Sequence, residues 1–256
     1  MKVVILAGGY GTRLSEETVI KPKPLVEIGD IPILIHIMRH YASFGFNEFI
    51  ILLGYKGFLI KEYFFNFFYN SNDFKIDLAS NQIEILNKYN LDWKVSLIDT
   101  GKDTKTGGRI KRAKNIIGNK PFLMTYGDGL GNIDIKKSID FHFSKNKLLT
   151  LTAVQIEGRY GALSLNENSL VNEFVEKPKG DGSWINGGYF VCNPGIFDLI
   201  KNDETVFEDY PLSELAKNNN LAAWKHNGFW KAMDTIRDKQ YLNDLWNNGT
   251  RPWVNK

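Results

Sequence analysis

A chain of 256 residues with 43% hydrophobic and 24% charged content has the means to bury a proper core and the balance of an ordinary water-soluble protein. Its 32 basic and 29 acidic residues leave a net charge of +3, too even for a surface dedicated to nucleic acid or membrane. One cysteine, Cys192, excludes an internal disulfide or a cysteine metal cluster, and no run approaches the ~20 apolar residues of a membrane span, so a cytoplasmic protein is expected.

Val3 to Leu6 is short, β-branched and closed by glycine, which predicts a buried strand. The stretch that follows, "LAGGYGTRLSEETVIKPKP" (residues 6–24), empties into glycines and cations. Pro32 then opens a helix in which Leu34, Ile37, Met38 and Tyr41 recur at helical spacing, with Gly45 as its stop. Phe49 to Leu53 is a second buried strand, and Leu59 to Phe68 an aromatic-rich helix. Strand, helix, strand, helix predicts right-handed βαβ connections and a mainly parallel sheet.

Asn70 to Asp92 breaks this rhythm as an insertion, with Ile83 to Leu86 alternating like one arm of a hairpin. Residues 66–95 are the candidate contact with another subunit. The pattern resumes with a strand at Val95–Ile98, a helix at Arg109–Ile117, a strand from Pro121 to Tyr126, a helix marked by Ile135 and Ile139, and a strand at Leu149–Val154. Beyond Gly161 come short strands in "GALSL", "LVNEFVEK" and "INGGYFVCN". Helices are expected at Ile196–Ile200, Leu212–Lys217 and Thr235–Trp246. A single α/β domain over residues 1–256, β-rich in its second half, fits this order.

The chemistry begins in the opening loop. Gly8, Gly9 and Gly11 leave backbone N–H groups open to phosphate oxygens, at the carboxyl end of a strand where open α/β sheets bind ligands. Arg13 offers a bidentate fork for phosphate, and Lys21 and Lys23 follow on a chain stiffened by Pro22 and Pro24. A dinucleotide turn is the competing reading, but the spacing is GGxGxR rather than GxGxxG, and no acidic residue closes a strand some 20 positions on. Glu16 and Glu17 are expected to point outward.

Asp128, between two glycines in "TYGDG", is placed to project into the same crevice, or is an ordinary turn residue. Asp234 in "KAMDT" reads equally as a helix cap. Two carboxylates suit Mg²⁺, which fills its octahedron with phosphate oxygens and water. Arg109 in "TGGR" has a solvated helix start as its alternative, and the Glu176–Lys177 pair a surface ion pair. His36 and His40 share a helix face without a third metal ligand nearby.

The opening loop resembles the signature of the sugar-1-phosphate nucleotidyltransferases. "GYKG", "DTG", "TGGR", "TYGDG", "GRYGAL", "EKPKGDG", "INGGYFV", "GFW" and "MDT" follow in that family's order, and "SEET" and "KPKP" are most similar to its cytidylyl-transferring branch. The resemblance implies a Rossmann-like, GT-A-like fold: a mainly parallel sheet flanked by helices, residues 1–150 mainly holding nucleotide and 151–256 mainly holding sugar phosphate. It implies Arg13 and Lys23 as catalytic residues. Nucleotide would meet Leu6, Ala7, Gly8, Gly9, Gly11, Thr12, Arg13, Lys23, Thr104, Arg109 and Gly127. Sugar phosphate would meet Tyr160, Gly161, Glu176, Lys177, Asn186 and Gly187, and Asp128 and Asp234 would hold Mg²⁺.

The implied substrates are CTP and glucose 1-phosphate, giving CDP-glucose for dideoxyhexose and surface-polysaccharide synthesis. Neither nucleic acid nor membrane is an expected partner, and the implied assembly is a homo-oligomer, a hexamer of two trimers. dTTP, UTP or another sugar phosphate stays open as an alternative, because cytosine is chosen by the resemblance alone. A non-catalytic nucleotide-sensing subunit is the reading from another class; it would be expected to lack some of Arg13, Lys23, Asp128 and Asp234, all of which are present.

Overall fold

The computed structural model describes residues 1–87, 91–156, 162–175 and 183–254. The chain opens with β1 (Val3–Ala7) and passes through a short helix, α1 (Ser15–Thr18), and the two-residue strands β2 (Glu27–Ile28) and β3 (Ile31–Pro32), into α2 (Ile33–Ser43). Then come β4 (Glu48–Leu53), α3 (Gly57–Asn70), the hairpin of β5 (Phe74–Asp77) and β6 (Gln82–Ile85), and β7 (Lys94–Asp99). They are followed by α4 (Thr106–Arg112), α5 (Lys114–Ile117), β8 (Phe122–Tyr126), β9 (Gly129–Gly131), α6 (Ile135–Lys145) and β10 (Leu149–Val154). The last stretch carries β11 (Ala162–Leu165), β12 (Val171–Val175), β13 (Ile185–Cys192), α7 (Tyr210–Lys217), β14 (Leu221–His226), β15 (Trp230–Ala232) and α8 (Ile236–Asn247).

Seven of these strands form one sheet, in the order β14-β10-β13-β8-β1-β4-β7. Its pairings are parallel except where β13 runs against β8 and β10. β1 is apolar throughout because both its faces are covered. Val3, Ile5 and Ala7 pack into one core with Phe49, Ile51 and Leu53, whereas Val4 and Leu6 pack into a second with Ile50, Leu52 and Phe122. Period-two alternation thus feeds two cores from one strand, as helices on both sides of a parallel sheet require.

The chain steps outward from β1 to β4 and β7, while β8 lies on the other side of β1. The carboxyl ends of β1 and β8 therefore flank the point where strand order reverses, the place where open α/β sheets present a crevice. The glycine loop leaves from one and Gly-Asp-Gly from the other.

Two expectations need correction, and one strand of the main sheet was not expected at all. The helix expected at Arg109–Ile117 starts at Thr106 and breaks at Ala113 into α4 and α5. The segment expected as a helix at Ile196–Ile200 is a 3-10 turn, Pro194–Leu199, flanked by extended residues and too short for an α-helix to gain from cooperativity. β14 was not anticipated: it follows an Asn-rich turn, and its pairing with β10 is long-range. No described helix is long and apolar enough to cross a membrane.

Candidate active site

Asp128 and Asp234 are brought together by a two-stranded ladder. β15 pairs antiparallel with β9, Ala232 opposite Gly129, and the N–H of Met233 donates to the Asp128 carbonyl at 2.9 Å. The next residue, Asp234, is held by the start of α8. Thr235, not Asp234, is the N-cap, and it forms a capping box with Asp238. The Asp238 carboxylate also accepts the Asp234 N–H at 3.2 Å and pairs with Lys231 at 2.5 Å.

Lys23 lies between the two aspartates. Its Nζ is 2.7 Å from Oδ2 of Asp128 and 2.7 Å from Oδ1 of Asp234, while Arg13 Nη1 reaches the other Asp234 oxygen at 2.9 Å. Burial works against the Lys23 charge, but the Asp128 and Asp234 carboxylates outweigh it and raise its pKa above the ordinary lysine value. Lys21, by contrast, is turned away and pairs with Glu27 at 3.1 Å.

Arg109 corrects its bland reading. It is buried rather than solvated, and its guanidinium donates to the carbonyls of Leu53, Gly8, Gly101 and Lys102 and to Thr100 Oγ1 at 2.6–3.1 Å. Gly8 and Gly54 make room for it: a Cβ on either would lie within 2.5 Å of a guanidinium atom. Arg109 therefore joins the glycine loop to the ends of β4 and β7.

The remaining nucleotide-side candidates converge. Leu6, Ala7, Gly8, Gly9, Gly11, Thr12, Arg13, Lys23, Thr104, Arg109, Gly127 and Asp128 line one cleft of about 400 Å³. Asp234 joins them through Lys23 and Arg13. Asn186 approaches through the Tyr126 hydroxyl at 3.5 Å, and the Gly187 carbonyl accepts from Trp230 Nε1 at 2.7 Å. Tyr160, Gly161, Glu176 and Lys177 lie outside the described residues. Glu16 is exposed as expected, but Glu17 is half-buried and binds Lys239 of α8, so it braces the loop. Sequence reading missed Tyr10, Lys102, Lys105 and Tyr126, which line the same cleft; the cations flanking "DTG" and "TGGR" were the available signal.

His36 and His40 turn inward, to the carbonyls of Ile28 and Ile133. Among the described residues no group of three or more His, Cys, Asp or Glu could hold a metal. The Asp128 and Asp234 carboxylates are the groups that could hold a cation here. Both already face one ammonium nitrogen, and such hard oxygens fit Mg²⁺ sharing its sphere with phosphate and water.

A mixed sheet with a cation-rich glycine loop and paired aspartates at its switch point defines a nucleotide-handling α/β enzyme, and the chain belongs to the nucleotidyl transferase family, whose model matches residues 2–238. Within that family it is 53% identical over 254 residues to a protein of Salmonella typhimurium named glucose-1-phosphate cytidylyltransferase, covering 99% of this chain and 98% of that one. HddC from Yersinia pseudotuberculosis superposes with a TM-score of 0.68 at 27% identity, covering 96% of this chain and 99% of that one. A UDP-glucose pyrophosphorylase complexed with UDP-glucose shares the fold, with a TM-score of 0.68 at 19% identity over 97% of this chain and 98% of that one.

Proposed function

We propose that this chain transfers the cytidylyl group of CTP to α-D-glucose 1-phosphate, giving CDP-glucose and pyrophosphate. The observation that carries this reading is the meeting of Lys23, Arg13, Asp128 and Asp234 at the mouth of the glycine loop. The identity of the base is supported by the full-length similarity to the Salmonella protein.

The nucleophile is a phosphate oxygen of the sugar phosphate, already anionic, so no general base is required. The difficulty is to hold two anions together and to stabilise charge on the α-phosphorus and its leaving group. The glycine loop, with Leu6, Ala7, Gly8, Gly9, Gly11 and Thr12, receives the triphosphate, and Thr104, Arg109 and Gly127 border the nucleoside. Arg13 offsets charge on departing pyrophosphate, and Lys23 bridges the α-phosphate and the incoming phosphate. Asp128 and Asp234 would hold Mg²⁺, which when bound supplies positive charge to the phosphate oxygens. On the sugar-phosphate side stand Asn186 and Gly187, with Tyr160, Gly161, Glu176 and Lys177 proposed to complete the site.

The product would feed dideoxyhexose and surface-polysaccharide synthesis in the cytoplasm. The chain would act as a homo-oligomer, a hexamer with contacts from residues 66–95. Supporting that assembly, Phe68, Tyr69, Phe74, Ile76 and Leu78 are exposed on the end of α3 and the β5–β6 hairpin. Light scattering on the purified chain tests the mass. Pyrophosphate release with CTP, dTTP, UTP and GTP, each with glucose 1-phosphate, tests the reaction. Turnover with dTTP equal to or above that with CTP overturns the cytidylyl assignment, and no release with any triphosphate overturns the enzyme.

A further inference from the structure

Between the nucleotide and sugar-phosphate sides runs a chain of hydrogen bonds that the proposed reaction does not use. It starts at Thr106, the first residue of α4, the helix that also carries Arg109. Thr106 Oγ1 accepts the Phe207 N–H at 2.8 Å and donates to Glu208 Oε2 at 2.6 Å. The other Glu208 oxygen accepts from the Tyr126 hydroxyl at 2.5 Å. That hydroxyl in turn accepts from Asn186 Nδ2 at 3.5 Å, and Asn186 Oδ1 accepts the Gly188 N–H at 2.9 Å.

The Tyr126 ring cannot easily turn away. It meets Phe190 edge-on, with centroids 5.7 Å apart, and lies over Gly188, where a Cβ would sit 2.5 Å from ring atom Cδ2. Gly188 also has a φ of +76°, which favours glycine for a second reason. The Tyr126 hydroxyl gives its one proton to Glu208, which leaves its lone pairs to receive the Asn186 N–H. With its oxygen on Gly188 and one N–H on Tyr126, Asn186 has a fixed amide plane and, among the described residues, one N–H left for a ligand.

We propose that Tyr126 and Glu208 are positioning residues for the sugar-phosphate half of the reaction: Glu208, anchored by Thr106, fixes the Tyr126 hydroxyl, and that hydroxyl fixes the Asn186 amide. This rests on the reading that Asn186 meets the sugar phosphate. Because the anchor lies on α4, the same chain ties the sugar-side strand β13 to the helix that holds the glycine loop. A purely structural network would change stability and leave the two substrates equally affected. A positioning network changes one substrate.

Steady-state kinetics with CTP and glucose 1-phosphate varied separately, alongside thermal melts, make the test. Tyr126→Phe and Glu208→Ala are expected to raise KM for glucose 1-phosphate about five- to tenfold, as for one lost hydrogen bond, with KM for CTP within about twofold. Glu208→Gln, which keeps an acceptor for Tyr126, should recover most of that loss. On an Asn186→Ala background, Tyr126→Phe should add less than about twofold, because coupled residues are not additive. If Asn186→Ala raises the sugar-phosphate KM while Tyr126→Phe and Glu208→Ala do not, the positioning role is overturned and Asn186 keeps its place. Equal rises in both KM values, or a lower melting temperature with unchanged kinetics, also overturn it. A sugar-phosphate KM unchanged in Asn186→Ala removes Asn186 from the site and the proposal with it.

Discussion

Arg109 Nη2 donates to the Gly8 carbonyl at 3.1 Å, joining residues 101 positions apart. The same side chain reaches the ends of β4 and β7 through Leu53 and Gly101. Removing it strands several buried carbonyls at once. Arg109→Ala should cost on the order of 3 kcal/mol and lower Tm by about 6–12 °C. Turnover should fall by about 100-fold or more, because the loop shifts. Arg109→Lys should recover only part of the loss, since an ammonium cannot reproduce the fork. A melt superimposable on wild type for Arg109→Ala would show that the loop holds its shape without this clamp.

Lys23 separates the Asp128 and Asp234 carboxylates, and Arg13 pairs with the second of them. Lys23→Ala should reduce kcat by about 10³-fold, the scale of losing a preorganised charge at a phosphoryl centre. Without Mg²⁺ its melting temperature should drop, and added Mg²⁺ should raise it more than in wild type. The Lys23 pKa is raised in the folded protein, so the stabilisation it contributes is complete below the unfolded lysine pKa of ~10.4 and fades only as pH rises through the higher folded value. Alkaline inactivation near pH 8 must then come from another group. Near-normal turnover of Lys23→Ala would refute the site as drawn.

Asp238 holds the backbone of Asp234 and Thr235 while pairing with Lys231. Asp238→Ala should destabilise the protein by about 1 kcal/mol through loss of the capping box. More tellingly, the Mg²⁺ concentration for half-maximal thermal stabilisation should rise several-fold, because Asp234 is no longer fixed. An unchanged Mg²⁺ titration would mean that Asp234 holds its position without Asp238.

Burial lowers the pKa of both His36 and His40 to about 4, and both bind carbonyl oxygens as neutral rings. The unfolded chain, with histidines near 6.5, binds more protons between these values, so stability should fall as pH drops from ~6.5 towards 4. The loss is up to roughly 3 kcal/mol per histidine. His40→Gln should be less stable at pH 7 yet show a flatter decline below pH 6.5 by urea unfolding. An identical pH slope in the variant would exclude His40 as a contributor.

Apart from α1, the short strands β2, β3 and β9 and the break between α4 and α5, the main strands and helices through β10 could be read from the chain because those elements are set by local pattern. Apolar runs closed by glycine become buried parallel strands, and 3.6-residue spacing becomes α2 and α3. The glycine loop and Gly-Asp-Gly were legible for the same reason: phosphate binding at a strand end demands small residues and cations within a few positions. What local pattern could not supply was partner choice across long separations. Only pairing with β10 makes a strand of Leu221–His226, and only the β9–β15 ladder sets Asp234 beside Asp128.

Tertiary packing also reassigned side chains. Arg109 looks like a surface cation in sequence, yet desolvation is tolerated because carbonyls from the loop and strand ends surround it. Glu17, in an exposed-looking acidic pair, meets Lys239 of the last helix. The types of residue that the chemistry requires were thus present in the one-dimensional chain. Which carboxylate faces which cation was decided by the sheet order and by two ladder strands, since Coulombic and hydrogen-bond energies act over a few ångströms that sequence distance does not measure.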